Sequence, residues 1–160
     1  MPFRPTTPAD VPHLVALTAA TGVFNDLEVH TLEGVIRDYF KSAYDEEGHR
    51  CFTAEGPDGL TGFVYLAPDE MAVGAWELWW VVVAKPHHGK GIGGELLGFA
   101  EQFARTNGGR VITLDTSSTP AYVPTHRFYE KYGYKRVGTL PEYYRDGDDK
   151  VIFWKRVDTI

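Results

Sequence analysis

The sequence predicts an α/β domain built on a mixed sheet with helices on both faces. Two segments and the order of elements lead there. Trp76 to Val83 is aromatic, then β-branched, and apolar on both faces, the make-up of a strand in the middle of a sheet covered on both sides. Gly91 to Arg105 carries Ile92, Leu96, Leu97, Ala100, Phe103 and Ala104 in a broad helical stripe. Over the whole chain the elements read β-α-α-β-β-β-α-β-α-β-β.

After the opening strand, Thr7-Pro8-Ala9-Asp10 starts a helix, with threonine at the cap, proline at the first position and an acid three residues past the cap. Val11, Leu14, Val15 and Thr18 share its inner face, Pro12 lies deep for a helix, and Thr21-Gly22 stops it. A second helix is expected over about Thr31 to Tyr44, with Leu32, Val35, Ile36, Tyr39 and Phe40 at helical spacing. Arg50 to Ala54 and Leu60 to Leu66 form a hairpin across Glu55-Gly56-Pro57-Asp58-Gly59. Beyond the central strand and its helix, Asn107-Gly108-Gly109 ends the helix and Val111 to Leu114 is a short buried strand. Pro124 to Tyr132 is a short helix closed by Gly133, and strands Tyr134 to Thr139 and Val151 to Arg156 flank an acidic turn.

At 160 residues the chain suits one domain, 1–160, without repeats. Its longest apolar run, Leu78 to Ala84, is far too short for a membrane span, and the first residues lack the apolar run of a signal peptide. A cytoplasmic protein is expected. The single cysteine, Cys51, excludes an internal disulfide framework and a cysteine-based zinc site. The histidines show no metal-ligand spacing, so no metal is expected. A formal charge of −6 argues against nucleic acid as a partner and mildly favours a cationic ligand. Asp45-Glu46-Glu47 and Asp146-Gly147-Asp148-Asp149 read as solvated acidic loops.

His88-Gly89-Lys90-Gly91-Ile92-Gly93-Gly94 joins the central strand to a helix. Glycines allow close approach of a ligand to the backbone, and the free amides of a helix start accept phosphate. Gly89, Gly91 and Gly94 spell the dinucleotide fingerprint GxGxxG, with Asp115 about twenty residues on. Five residues separate Val83 from Gly89, however, whereas that fingerprint turns directly out of its strand. A nicotinamide enzyme is therefore the lesser alternative.

The loop is similar to that of the GNAT acetyltransferase superfamily, in which Gln or Arg, two variable residues, Gly, one variable residue and Gly or Ala follow one another. His88 departs from the first position, which leaves the backbone contacts to carry the likeness. Phe128-Tyr129-Glu130-Lys131-Tyr132-Gly133-Tyr134 resembles the FYEKxGF segment of the same family, and the order of elements agrees along nearly the whole chain. The resemblance implies the GNAT-like acyl-CoA N-acyltransferase fold, with acetyl-coenzyme A as cofactor. Its pyrophosphate would sit on the loop, that is on His88, Gly89, Lys90, Gly91, Ile92, Gly93 and Gly94, and its pantetheine arm along Val81, Val82 and Val83. Lys85, His87, His88 and Lys90 form a basic cluster near the loop, which either fits an anionic cofactor or is a solvated turn.

An alkyl amine with a pKa of about 10 is neutral in only about one molecule per thousand at neutral pH, so attack on a thioester profits from a base. Glu77 interrupts an apolar strand, where desolvation raises a carboxyl pKa, and it stands where family members with a catalytic glutamate carry theirs. The alternative for Glu77 is a structural carboxylate. Tyr129 matches the tyrosine that resembling enzymes set near the sulfur, as proton donor to the thiolate; its alternative is plain core. Tyr122 stands where many relatives have asparagine. Asn25, Glu28, Trp79 and Tyr144 are the candidate acceptor-binding residues. The expected activity is acetyl transfer to a primary amine of a small molecule by direct ternary attack. The rival readings are a non-catalytic acyl-CoA sensor or interaction module, a protein or peptide amine acetyltransferase, and the nicotinamide enzyme. A homodimer is compatible with the aromatic surface.

Overall fold

A computed structural model describes residues 2–41 and 44–158. Strands β1 (Phe3–Pro5), β2 (Arg50–Gly56), β3 (Gly59–Pro68), β4 (Ala75–Val83), β5 (Val111–Ser117), β6 (Lys135–Arg145) and β7 (Asp148–Arg156) form one seven-stranded sheet in the order β1-β2-β3-β4-β5-β7-β6. Helices α1 (Val11–Ala20), α2 (Asp26–Lys41), α3 (Ile92–Thr106) and α4 (Val123–Lys131) complete the predicted order. β4 is the central strand, and a hydrophobic core lies on each side of it. Leu96, Leu97, Ala100 and Tyr129 pack with Trp76 and Leu78 on the α3/α4 face. Leu14, Leu32 and Ile36 pack with Phe63, Tyr65 and Val82 on the α1/α2 face. Among the described residues no helix is long and apolar enough to cross a membrane.

Several boundaries differ from the expectation for local reasons. Residues Pro8–Asp10 form a tight 3-10 turn and the α-helix proper begins at Val11, so Pro12 falls in its first turn, where no intrahelical N–H is required. Asp10 accepts the Thr7 amide at 2.8 Å and accepts from both terminal guanidinium nitrogens of Arg4, at 2.7 and 2.9 Å, which holds its carboxyl down to about 2. The second helix starts at Asp26, five residues before the expected Thr31, because Asn25 and Glu28 form a reciprocal cap. The Asn25 side-chain oxygen accepts the Glu28 amide at 2.8 Å while the Glu28 carboxylate accepts the Asn25 amide at 3.0 Å. Positions 42 and 43 of the expected helix lie outside the described residues.

At the other end β5 runs on to Ser117, and β6 continues past Thr139 to Arg145. The pairing of β6 slips there: Leu140 faces Lys150 and Arg145 faces Asp148, so residues 141–144 loop out of register. Asp148, expected in a solvated loop, is instead buried, accepting the Ser117 hydroxyl at 2.5 Å and pairing with Arg145.

The sheet opens in one place. β4 pairs with β3 along its length, but parallel to β5 only from Ala75 to Glu77, opposite Val111 to Thr113. Opposite β3, Leu78 faces Leu66 and Trp80 faces Tyr65, so Trp79 is an extra, bulged residue. The bulge reverses the side-chain alternation. Trp79 and Trp80 both pack toward the α1/α2 core, Val82 with them, while Val81 and Val83 pack under α3.

Candidate functional site

Where β4 parts from β5, the main chain of Leu78 to Val83 has no strand on its β5 side, and a groove of about 610 Å3 occupies the gap. The exposed edge of Val81, Val82 and Val83 forms one wall and α4 the other, with Pro124, Phe128, Tyr129 and Tyr132 facing in. An unpaired strand edge offers donors and acceptors to an extended, amide-bearing ligand.

The glycine loop closes one end of this groove. A 3-10 turn, Lys85–His87, separates it from β4, so Gly89 does not turn directly out of the strand as the dinucleotide fingerprint requires. Gly89 and Gly91 have φ of +78° and +81°, with nothing within 4 Å of where a Cβ would stand; they serve the backbone path and leave open space above it. Gly93 and Gly94 do something else. A Cβ at Gly93 would meet Phe128 Cε1 at 2.9 Å and one at Gly94 would meet Tyr132 Cζ at 2.5 Å, so these two let α3 pack closely on α4. The first helical main-chain bond runs from the Glu95 amide to the Gly91 carbonyl at 3.1 Å, which leaves the preceding amides directed out of the helix end, where an anion is favoured.

His88 lines the groove, and its Nε2 donates to the Val83 carbonyl at 2.7 Å, pinning the loop to the strand end. His87 also lines it, whereas Lys85 and Lys90 do not. Lys131, at the end of the FYEK segment, borders the groove instead, a cation the sequence reading did not single out.

Tyr129 is 6% exposed, with its ring in the α3/α4 core 5.1 Å from Phe128 and 5.5 Å from Tyr134. Its hydroxyl has no hydrogen-bond partner among the described residues. Since no buried side-chain polar atom among them is left unpartnered, that oxygen reaches the groove. Burial pushes the phenol upward, so it stays protonated at neutral pH.

A second hollow of about 500 Å3 adjoins the groove on the α2 and β7 side. The two share Phe24, Leu78, Trp79, Trp80, Asp115, Thr116 and Tyr122. Glu77 borders only the second hollow. Its carboxyl is raised above the ordinary value, first by burial and then by the charge of Asp115, with Lys150 and Trp79 pulling the other way. Asp115 follows from register: Glu77 pairs with Thr113, and two residues further along β5 the side chain points to the same face. Glu28, Trp79 and Tyr144 border this hollow too, while Asn25 does not; its side chain caps α2. Cys51 lies on β2 in the α1/α2 core, outside both cavities, with its thiol pushed up to about 12 by burial.

An open strand edge with a glycine loop at one end thus meets a second hollow across a shared seam. The residues fit coenzyme A, whose pyrophosphate matches the cradle and whose pantetheine arm matches the edge. The family model described as "Acetyltransferase (GNAT) family" matches residues 19–134, and the chain belongs to that family. No curated protein matches the sequence. Among solved structures, the fold is similar to a protein from Desulfovibrio desulfuricans assigned to the GNAT family, at 29% identity and a TM-score of 0.90 over 98% of each chain. It is also similar to an aminoglycoside 6'-N-acetyltransferase complexed with coenzyme A, at 22% identity and a TM-score of 0.75 over 100% of this chain and 99% of that one. A ribosomal-protein-alanine N-acetyltransferase from Brucella melitensis shares 22% identity, with a TM-score of 0.75 over 98% of this chain and 99% of that one.

Proposed function

We propose that this protein transfers an acetyl group from acetyl-coenzyme A to a primary amine of a small molecule, by direct attack within a ternary complex. The observation that carries the reading is the shared seam. A carboxyl of raised pKa borders one hollow, an unpaired phenol borders the other, and the two hollows have Leu78 to Trp80 in common. Bound in the groove, acetyl-coenzyme A supplies an acetyl group activated as a thioester. The loop from His88 to Gly94 holds the pyrophosphate through main-chain amides, and Val81 to Val83 orient the arm. Glu77 accepts a proton from the acceptor's ammonium at a carboxylate oxygen, directly or through water. Its raised pKa brings it closer to the amine and improves the transfer. Tyr129 holds a proton at its phenol oxygen for the departing sulfur. Cys51 takes no part.

Calorimetry with coenzyme A, paired with a thiol-release assay across small amines, tests this. Coenzyme A binding together with amine-dependent thiol release is the expected result. Binding without release on any amine would replace the transferase by an acyl-CoA sensor, and no binding would end both readings.

A further inference from the structure

Glu28, Glu77, Asp115 and Asp148 all border the acceptor hollow, but they differ in what faces their charge. Asp115 holds Lys150 at 3.1 Å. Asp148 is paired with Arg145 and accepts the Ser117 hydroxyl. Glu28 has no cation among the described residues. One of its oxygens accepts the Asn25 amide at 3.0 Å and the other accepts the Tyr122 hydroxyl at 2.5 Å, from the turn that precedes α4. One donor from beside it and one from far along the chain thus fix the plane of this carboxylate, and no side-chain cation pairs with it among the described residues. Helix capping explains only the first bond. The second reaches across the seam, where Tyr122 also meets Phe24 edge-on at 6.3 Å, so Glu28 is held beside aromatic walls that suit an organic body.

We propose that the acceptor carries a second cationic nitrogen, and that Glu28 is the specificity-determining residue that binds it while Glu77 faces the reacting amine. The inference rests on the transferase reading above and adds the acceptor's class: a small molecule with two amines. Tyr122 acts as a positioning residue, through Glu28.

Glu28→Gln separates this from capping. Glutamine is itself a competent capping residue: its oxygen still accepts the Asn25 amide while its NH2 donates to the Tyr122 oxygen, so the charge is lost and the Tyr122 bond reverses direction. The test compares n-pentylamine with 1,5-diaminopentane as acceptors, by thiol release. The parent is expected to favour the diamine by about tenfold or more in kcat/KM, and Glu28→Gln to lose that preference. Tyr122→Phe is expected to raise the diamine KM with kcat held. Equal use of both amines by the parent, or an unchanged diamine preference in Glu28→Gln, overturns the proposal. Monoamine turnover reports separately on the transferase reading. Calorimetric titration of the diamine, which needs no turnover, decides the matter independently: binding weakened about tenfold in Glu28→Gln supports it, and equal binding overturns it.

Discussion

Tyr129→Phe separates the two roles open to that side chain, proton donor and core aromatic. Phenylalanine keeps the ring against Phe128, Tyr134 and Phe153, so the packing of α4 on the sheet survives. The hydroxyl it removes has no protein partner among the described residues and no place in a buried network. Folding stability is therefore expected to change by no more than about 0.5 kcal/mol, a shift in Tm of about 2 °C or less for a domain of this size. The effect on turnover is of another order. Losing a positioned proton donor costs about 10²- to 10⁴-fold in kcat, roughly 3 to 5 kcal/mol of barrier. Burial raises the phenol pKa, so its donor form persists below that raised value and the deficit is expected across the neutral range. Steady-state thiol release and scanning calorimetry on the same preparations measure both quantities. A kcat within about threefold of the parent would refute the donor role, since core packing alone predicts that result. A loss of more than about 4 °C would mean the hydroxyl makes a structural bond.

Glu77→Gln is expected to flatten the acidic limb of the kcat/KM profile. The parent's carboxylate, with its raised pKa, is lost at a higher pH than an ordinary glutamate as the solution is acidified. A profile superimposable on the parent's would take the base role from Glu77. Gly62→Ala puts a Cβ 2.5 Å from the Val82 carbonyl oxygen, a main-chain atom with little room to retreat, and 2.9 Å from Leu96 Cδ1. Thermal unfolding should show about 1 to 3 kcal/mol of destabilisation, and an unshifted Tm would mean that β3 and β4 yield freely. Cys51, 2% exposed with its thiol pushed up to about 12, is expected to resist iodoacetamide at about pH 8 until the protein is denatured. Rapid labelling of the native form, read by mass, would contradict its burial.

The parts of the fold written as local patterns were legible. Trp76 to Val83 stood out as the central strand because nothing polar but Glu77 marks either face, and the observed sheet order agrees. The glycine loop stood out because four glycines at a strand-to-helix junction are hard to explain otherwise. Composition did not reveal that the glycines divide by task. Gly93 and Gly94 face aromatic residues of α4, a relation visible only when two distant helices are seen together. The α2 start was missed although its signal was present: Asn25-Asp26-Leu27-Glu28 is a capping sequence. Asp148 read as solvated because a run of acids beside a glycine has that look. Its burial depends on Ser117 and Arg145, which the alternation of β7 does not announce. Asp115 was noticed only as part of the GxGxxG pattern, and its place beside Glu77 follows from the parallel register of β4 and β5.

The Trp79 bulge shows why the second hollow was the hardest part to read. In a regular strand Trp80 would share a face with Trp76 and Leu78 and intrude on the core under α3. The inserted residue turns Trp80 to the α1/α2 side, where Trp79 already points, and brings Val81 and Val83 to the α3 side. The same stretch is where β4 and β5 cease to pair, so one irregularity accompanies three consequences: an aromatic wall on the second hollow, a free strand edge along the groove, and a seam joining the cavities. From Leu78 to Val83 every residue is apolar, and a pattern with no polar member cannot report a change of face. The information lies in volume instead. Two adjacent tryptophans fit opposite faces of a flat strand poorly when one face is already filled, and the bulge relieves that conflict.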